Sequence, residues 1–350
     1  MNKWQSYQAQ TTKQLLPNYA WNASENWATI ASRAETSAIC VTDLPKGSGP
    51  ALVLGSGPSL DQIAPILSSF RGAVFASPSQ LDILERWAAA PTHIVAGDSA
   101  DKVAEQLSGR HWYDSVLLTH PAVSPKVLDT WKGVLAMFRV NTHSEWGAMQ
   151  AFVYPWIKAE LDTGGCTPTI AMGLASFLGY SPIIFAGLDL GFPNRRYRAQ
   201  GWTKRGEHLF AQDTVQFVEE GITTTDEMRY YRLMLLAIWK TRKYRIYQVD
   251  PPEGALLREF RHVSIQDLMR QVFPPYFKPE RIDQIVDMVL EPEGIRVKLD
   301  KDGGATLEWF DPEPPEAEPK VPETVHAETG AVDVVRARDK EKGQRRTKKR

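Results

Sequence analysis

The residues of this 350-residue chain best suited to chemistry are two glycine-rich turns, two aspartates, two histidines and a short arginine run. The first turn, Gly55-Ser56-Gly57-Pro58-Ser59, directly follows the apolar run Ala51-Leu-Val-Leu54. Glycine lets the chain turn tightly and lets a ligand approach without a Cβ in the way. Backbone N–H groups in such a loop, beside a helix N-terminus, suit a phosphate. Gly55, Ser56, Gly57 and Ser59 are therefore candidate nucleotide or phosphate ligands. Leu60 stands where a dinucleotide fingerprint has its third glycine, so a plain strand–turn–helix link reads equally well.

The second turn opens the block Thr163-Gly-Gly-Cys-Thr-Pro-Thr-Ile-Ala-Met-Gly. Gly164, Gly165 and Thr167 could bind a second phosphate or a sugar hydroxyl through N–H and O–H groups, with Thr169 adding another hydroxyl. The structural alternative is a helix start packed tightly through Ala171, Gly173 and Ala175. Asp98 and Asp189 each follow a short apolar run. Either could bind Mg²⁺ through phosphate, hold a ribose hydroxyl or cap a turn, and two carboxylates at neighbouring strand ends would suit a metal–nucleotide site. His120 and His143 are candidate acid/base groups near neutral pH, with hydrogen-bonded structural roles as the alternative. Arg195, Arg196 and Arg198 could clamp a diphosphate or acidic sugar, or simply solvate a loop.

Stepping outward, the elements that must position these residues form an alternating series. Residues 51–54, 73–76, 93–96, 116–119, 134–138, 182–187 and 244–249 read as strands. They are short buried runs separated by helical patterns, which implies a mostly parallel sheet with helices on both faces. Ligands of such sheets sit beyond the carboxyl ends of the strands, where Gly55, Asp98, Thr119 and Asp189 all fall. After the first turn, Asp61 is the expected helix cap, because it moves Pro65 towards the tolerant first turn. Ile63, Ile66, Leu67 and Phe70 then give an apolar face. Thr225 caps a helix running to Lys243, with Asp226 and Glu227 in its first turn.

The expected organisation is a helical N-terminal extension over 1–45 and a main α/β domain over 46–255. A small α+β extension follows over 256–310, with helices at 265–272 and 279–290 and a hairpin around Asp302-Gly-Gly304. Residues 311–350 are rich in proline and charge and are expected to be a disordered tail. Its basic end, Arg345-Arg-Thr-Lys-Lys-Arg350, could contact an acidic partner. The formal net charge of −1 argues against a general electrostatic nucleic-acid binder. Two cysteines give neither a disulfide framework nor a metal spacing. No apolar run reaches the roughly 20 residues of a membrane span, and the N-terminus lacks a secretory core. A cytoplasmic protein is expected.

The order of the motifs is itself informative. Gly-Ser-Gly-Pro-Ser-Leu-Asp at 55–61, Pro-Thr-His-Ile-Val-Ala-Gly-Asp at 91–98, Gly164-Gly165, and Leu-Gly-Tyr-Ser-Pro-Ile-Ile-Phe-Ala-Gly-Leu-Asp-Leu at 178–190 occur in series. This resembles the 6-hydroxymethylpterin diphosphokinase MptE-like family, which includes the motility accessory factor flagellin glycosyltransferases. The resemblance covers about residues 50–260. It implies a Rossmann-like, sialyltransferase-like domain handling a nucleotide or nucleotide-activated small molecule. The positions that match its motifs are Gly55, Gly57, Ser59, Asp98, Gly164, Gly165 and Asp189. Leu188 stands where the family often has glutamine, and Arg198 where a histidine commonly precedes alanine.

Two transferase readings follow from the resemblance. One is glycosyl transfer from a CMP-linked acidic sugar to a hydroxyl acceptor. The other is ATP- and Mg²⁺-dependent diphosphate transfer to a pterin alcohol, with Asp98 or Asp189 positioning the metal. A methyltransferase using S-adenosylmethionine also suits a glycine loop after a first strand. A non-catalytic nucleotide-binding or assembly protein is the reading from outside enzymology. The arginine run and the lack of a carboxylate cluster favour the glycosyl reading.

Overall fold

A computed structural model of the protein describes residues 3–34, 38–110, 112, 114–140, 145–161, 164–192, 216–219, 222–249, 257, 259–264, 268, 295–299 and 305–309. Its first half comprises α1 (Lys3–Ala34), β1 (Ala38–Cys40), β2 (Ala51–Leu54), α2 (Leu60–Ile63), β3 (Ala73–Ala76), α3 (Leu81–Arg86) and β4 (His93–Ala96). Then come α4 (Lys102–Leu107), β5 (Val116–Thr119), α5 (Pro125–Thr130), β6 (Leu135–Met137), β7 (Arg139–Val140), α6 (Glu145–Val153) and β8 (Glu160–Leu161). The remainder is α7 (Thr167–Phe177), β9 (Ile183–Ala186), β10 (Gln216–Glu219), β11 (Ile222–Thr225), α8 (Asp226–Arg242), β12 (Ile246–Val249), β13 (Arg261–Val263), β14 (Ile295–Leu299) and β15 (Ala305–Trp309).

Among the described residues, nine strands form one sheet in the order β1-β6-β5-β4-β3-β2-β9-β12-β13. Every neighbouring pair in it is parallel. This is the Rossmann-like α/β architecture, with helices covering both faces. All four residues of β2 are at most 2% exposed, so side chains pointing to opposite faces are equally buried. β14 and β15 pair as an antiparallel hairpin. Of the segment expected as a helix at 265–272 only Leu268 is described, buried and with its N–H donating to Ser264 O at 2.9 Å; the segment at 279–290, the turn at 302–304 and the tail from 311 lie outside the described residues. Among the described residues, no helix is long and apolar enough to cross a membrane.

The N-terminal extension is mainly helical, as expected: α1 runs to Ala34, and residues 38–40 then form an edge strand against β6. A three-residue strand carries too little periodicity to stand out in sequence. One local expectation is corrected: Asp61 does not cap α2. The helix begins at Leu60 with Ser59 in the cap position, and Asp61 lies in its first turn. Pro65 is accommodated because the α-helix stops after one turn and a 3₁₀ helix over Ala64–Ser69 takes its place. By contrast, Thr225 does cap α8, its Oγ1 accepting the Met228 N–H at 3.2 Å.

The core gives the fold an acid-sensitive point. His93 opens β4, stacks on Phe75 at 4.3 Å and meets Tyr180 edge-on at 5.9 Å. Burial depresses its pKa from 6.5 to about 4. Above pH 6.5 the ring is neutral both folded and unfolded, so it exerts no pH effect. Below 6.5 the unfolded chain takes up the proton first, and stability is lost as pH falls towards 4. Between pH 6.5 and 5 this amounts to about 2 kcal/mol. Urea unfolding across that interval should show the loss, and His93→Phe should flatten it. An equally steep slope in the variant would assign the acid sensitivity to other groups.

Candidate functional site

The sheet order reverses between β2 and β9. From β2 the chain builds outward through β3, β4, β5 and β6; it then returns to place β9, β12 and β13 on the other side. Open α/β sheets bind ligands at such a reversal, beyond the carboxyl ends of the strands. Here the two loops leaving that point clasp each other. Gly55 N–H donates to Ala186 O at 2.7 Å, and Gly57 N–H donates to Gly187 O at 2.8 Å. Gly187 has φ +74°. A Cβ on Gly55 would press on the Gly187 carbonyl oxygen and lie 2.6 Å from its carbon. One on Gly57 would lie 2.5 Å from Asp189 Oδ2.

Asp189 completes the clasp. It is buried, and its carboxylate accepts the Ser59 N–H at 2.9 Å and the Ser59 hydroxyl proton. Gly55, Gly57, Ser59 and Asp189 are thus brought together, but the close approach that excludes side chains at 55 and 57 is between two stretches of this chain. Ser56 points its bonds the other way, towards the loop after β3. Its hydroxyl lies 3.0 Å from Ser79 Oγ and accepts from Gln80 Nε2 at 2.7 Å. Ser79 Oγ in turn lies 2.7 Å from Ser77 Oγ, and Gln80 Oε1 accepts the Ser77 N–H. Sequence reasoning missed this hydroxyl-rich loop. Its signal was a capping box, Ser77 to Gln80, directly behind a buried strand.

Asp98 and Asp189 do not share a site. Asp98 follows β4 and Asp189 follows β9, three strand spacings apart, about 14 Å. The expectation of carboxylates at neighbouring strand ends is therefore corrected. They do not fit one Mg²⁺ between them, and among the described residues no group of three or more His, Cys, Asp or Glu could hold a metal ion. Asp98 is exposed, with Oδ1 accepting the Ala100 N–H at 2.9 Å as an aspartate turn cap does. His120, at the end of β5, is buried, with Nε2 3.1 Å from Gly97 O and Nδ1 accepting the Ala122 N–H at 3.2 Å. The proton therefore sits on Nε2. Burial holds the pKa below its ordinary value, opposed by the Gly97 carbonyl and the Asp98 charge. His120 is a neutral tie between two loops rather than a ready acid. His143, Arg195, Arg196 and Arg198 lie outside the described residues.

The diglycine turn lies at the same edge. Gly164 and Gly165 have φ +57° and +81°, conformations that favour glycine. Without a side chain, Gly164 admits Thr169, whose Cβ would lie 2.9 Å from an added carbon. Thr169 Oγ1 is engaged with Cys166 Sγ at 3.1 Å, and burial raises the Cys166 thiol pKa. α7 starts at Thr167, and its Ile170 reaches Gly97 at the end of β4. Tyr230 and Tyr231 of α8 flank Gly165. The start of α7 therefore joins the Asp98 loop to α8 across the carboxyl edge.

These motifs, in this order and placement, fall in a segment with known counterparts: residues 22–195 match the family described as 6-hydroxymethylpterin diphosphokinase MptE-like. That segment belongs to this family. The MptE-like segment contains the clasp, the hydroxyl-rich loop, Asp98, His120 and the diglycine turn, whereas α8 lies beyond it. In structure, this MptE-like chain is similar to the MAf glycosyltransferase from Magnetospirillum magneticum AMB-1, with a TM-score of 0.52 and 17% identity. That alignment covers 72% of this chain and 38% of the other, so the MptE-like chain spans well under half its length. The likeness is one of fold. The sialyltransferase CstII from Campylobacter jejuni, solved with CMP-3FNeuAc, aligns with a TM-score of 0.36 and 16% identity, over 61% of this chain and 86% of that one. No curated protein matches this chain.

Proposed function

We propose that this MptE-like chain is a nucleotide-dependent transferase that moves an acidic sugar from a CMP-linked donor to a hydroxyl acceptor. The observation that carries the reading is the clasped reversal point between β2 and β9. It brings the loops at 55–59 and 187–189 together at the carboxyl edge, beside the Ser56 and Ser79 hydroxyls, with Asp98 and the start of α7 further along that edge. The clasp uses the N–H groups of Gly55, Gly57 and Ser59, so the Ser56 N–H and hydroxyl, with the N–H and hydroxyl groups of the loop at 164–167, hold the donor phosphate, and Asp98 accepts from its sugar hydroxyls. The acceptor oxygen attacks the anomeric carbon, the bond to phosphate oxygen breaks, and CMP leaves with the electron pair. Arg195, Arg196 and Arg198 are the proposed stabilisers of that leaving phosphate, and His143 is the proposed acceptor of the proton. The fold shared with a MAf glycosyltransferase supports this reading.

The family's description favours a second reading, diphosphate transfer from ATP to a pterin alcohol. That chemistry ordinarily draws on Mg²⁺ to neutralise phosphoryl charge. The separation of Asp98 from Asp189 leaves a single carboxylate for it, which weighs towards the glycosyl reading. One experiment separates the two. The protein is incubated with CMP-N-acetylneuraminic acid, and separately with ATP and 6-hydroxymethyl-dihydropterin, with EDTA in half of each set. Release of CMP that resists EDTA is expected. Formation of AMP and a diphosphorylated pterin, abolished by EDTA, would replace the glycosyl reading with the other. Silence in both arms, with no nucleotide binding by calorimetry, would return the chain to the binding or assembly class.

A further inference from the structure

The N-terminal helix places a polar face on the carboxyl edge of the sheet. Tyr19, Asn22, Ala23, Asn26, Ile30 and Arg33 recur at helical spacing along α1. Asn26 is 1% exposed and Asn22 is 9% exposed, a degree of burial that an amide tolerates only with partners. Asn22 Nδ2 donates to Ser99 O and Ala122 O, each at 3.1 Å. Asn26 Nδ2 donates to Pro121 O at 2.9 Å and Val123 O at 2.8 Å. Ser99 is the residue after Asp98, and residues 121–123 follow His120. Asn22 thus bridges the loop after β4 to the loop after β5, and Asn26 fixes the second of them. Tyr19, one turn earlier, meets the His120 ring edge-on at 6.2 Å, and His120 bonds Gly97 O. The loop carrying Asp98 is therefore held from above by α1 and from the side by His120.

We propose that Asn22 and Asn26 are positioning residues: α1 is a working wall of the site, and its two amides set where the Asp98 loop stands relative to the nucleotide. This rests on the transferase reading, since it assigns the Asp98 loop a ligand to meet. Neither amide is placed against the ligand itself. Both amide nitrogens donate to backbone carbonyls, so they hold the loop without bringing a charge to it.

The test compares three full-length variants. Asn26→Ala and Asn22→Ala each remove one amide while keeping a good helix former. Ile30→Ala, on the same buried face of α1, removes core packing but no bond to either loop. CMP affinity is measured by calorimetry at a temperature well below unfolding, alongside a melting curve for each protein. Both asparagine variants are expected to bind CMP at least tenfold more weakly. Ile30→Ala should lower the melting temperature yet keep its Kd within twofold of the parent. Asn22→Ala serves where Asn26→Ala fails to fold, because Asn22 lies at the rim. Unchanged Kd in the asparagine variants, or equal weakening in all three, would overturn the positioning role alone. Failure of the parent protein to bind CMP would overturn the reading and this inference together.

Discussion

Gly55→Ala is expected to lower the melting temperature by about 10 °C or more. The added carbon would press on the Gly187 carbonyl and sit 2.9 Å from Leu188 N, so the obstacle is backbone rather than a side chain that can rotate away. Relief requires parting two loops that are also held by Gly55 N–H to Ala186 O and Gly57 N–H to Gly187 O. Overpacking that cannot relax belongs among the costly single changes, about 4 kcal/mol here. In a domain of this size each kcal/mol moves the midpoint by about 2–4 °C. Gly109→Ala is the control, since Gly109 has φ +74° but nothing lies near its missing side chain. It should cost only about 1 kcal/mol. Equal midpoints for the two variants would mean that the β2 and β9 loops part easily, and the clasp would lose its standing.

Asp189→Ala should destabilise the protein by about 3 kcal/mol. Two donors of Ser59, its N–H and its hydroxyl, lose a buried carboxylate acceptor together, and bonds to charged groups contribute about 1.5–3 kcal/mol each when the partner is left without water. Ser59→Ala removes one of the two bonds and should cost about 1–2 kcal/mol. Because the groups act on one another, the double variant should fall short of the sum by more than about 1 kcal/mol. Urea unfolding of the four proteins measures the coupling. Additive losses would show that Asp189 is held by other partners and that Ser59 contributes independently.

The strands at 51–54, 73–76, 93–96 and 116–119 were legible because each is a short run, buried throughout save for Val116, between turn signals. Burial on both faces leaves an apolar signature that needs no knowledge of partners. The edge strands at 38–40 and 261–263 lacked it: each has three residues, and their identity as strands comes from the neighbours they pair with. The site divided along the same line. Gly55, Gly57, Gly164 and Gly165 announce themselves, because glycine at a strand end has few other uses. What they approach does not appear in the sequence. That Gly57 gives way to Asp189 requires β2 and β9 to be adjacent, a fact of topology between segments far apart in the chain. Asn22 and Asn26 were hidden for a different reason. A hydrophobic pattern search counts them as solvent-facing, whereas here amides occupy the buried stripe of a helix because the surface beneath them is made of carbonyl oxygens.

The position of β1 has a consequence for the living chain. It precedes the other described strands in the chain, yet its seat is beside β6, so Ala38–Cys40 must wait for Leu135–Met137. The carbonyls that receive Asn22, Asn26 and Arg33 lie between residues 99 and 131, and they too come later. At a usual synthesis rate of roughly 5–20 residues per second, that wait lasts on the order of ten seconds. Throughout it, Ile30 and the rest of the docking stripe stand in water, open to chaperones and proteases. This segment leaves the ribosome well before the strand and carbonyls that receive it, and nascent chains halted before residue 135 should still expose it.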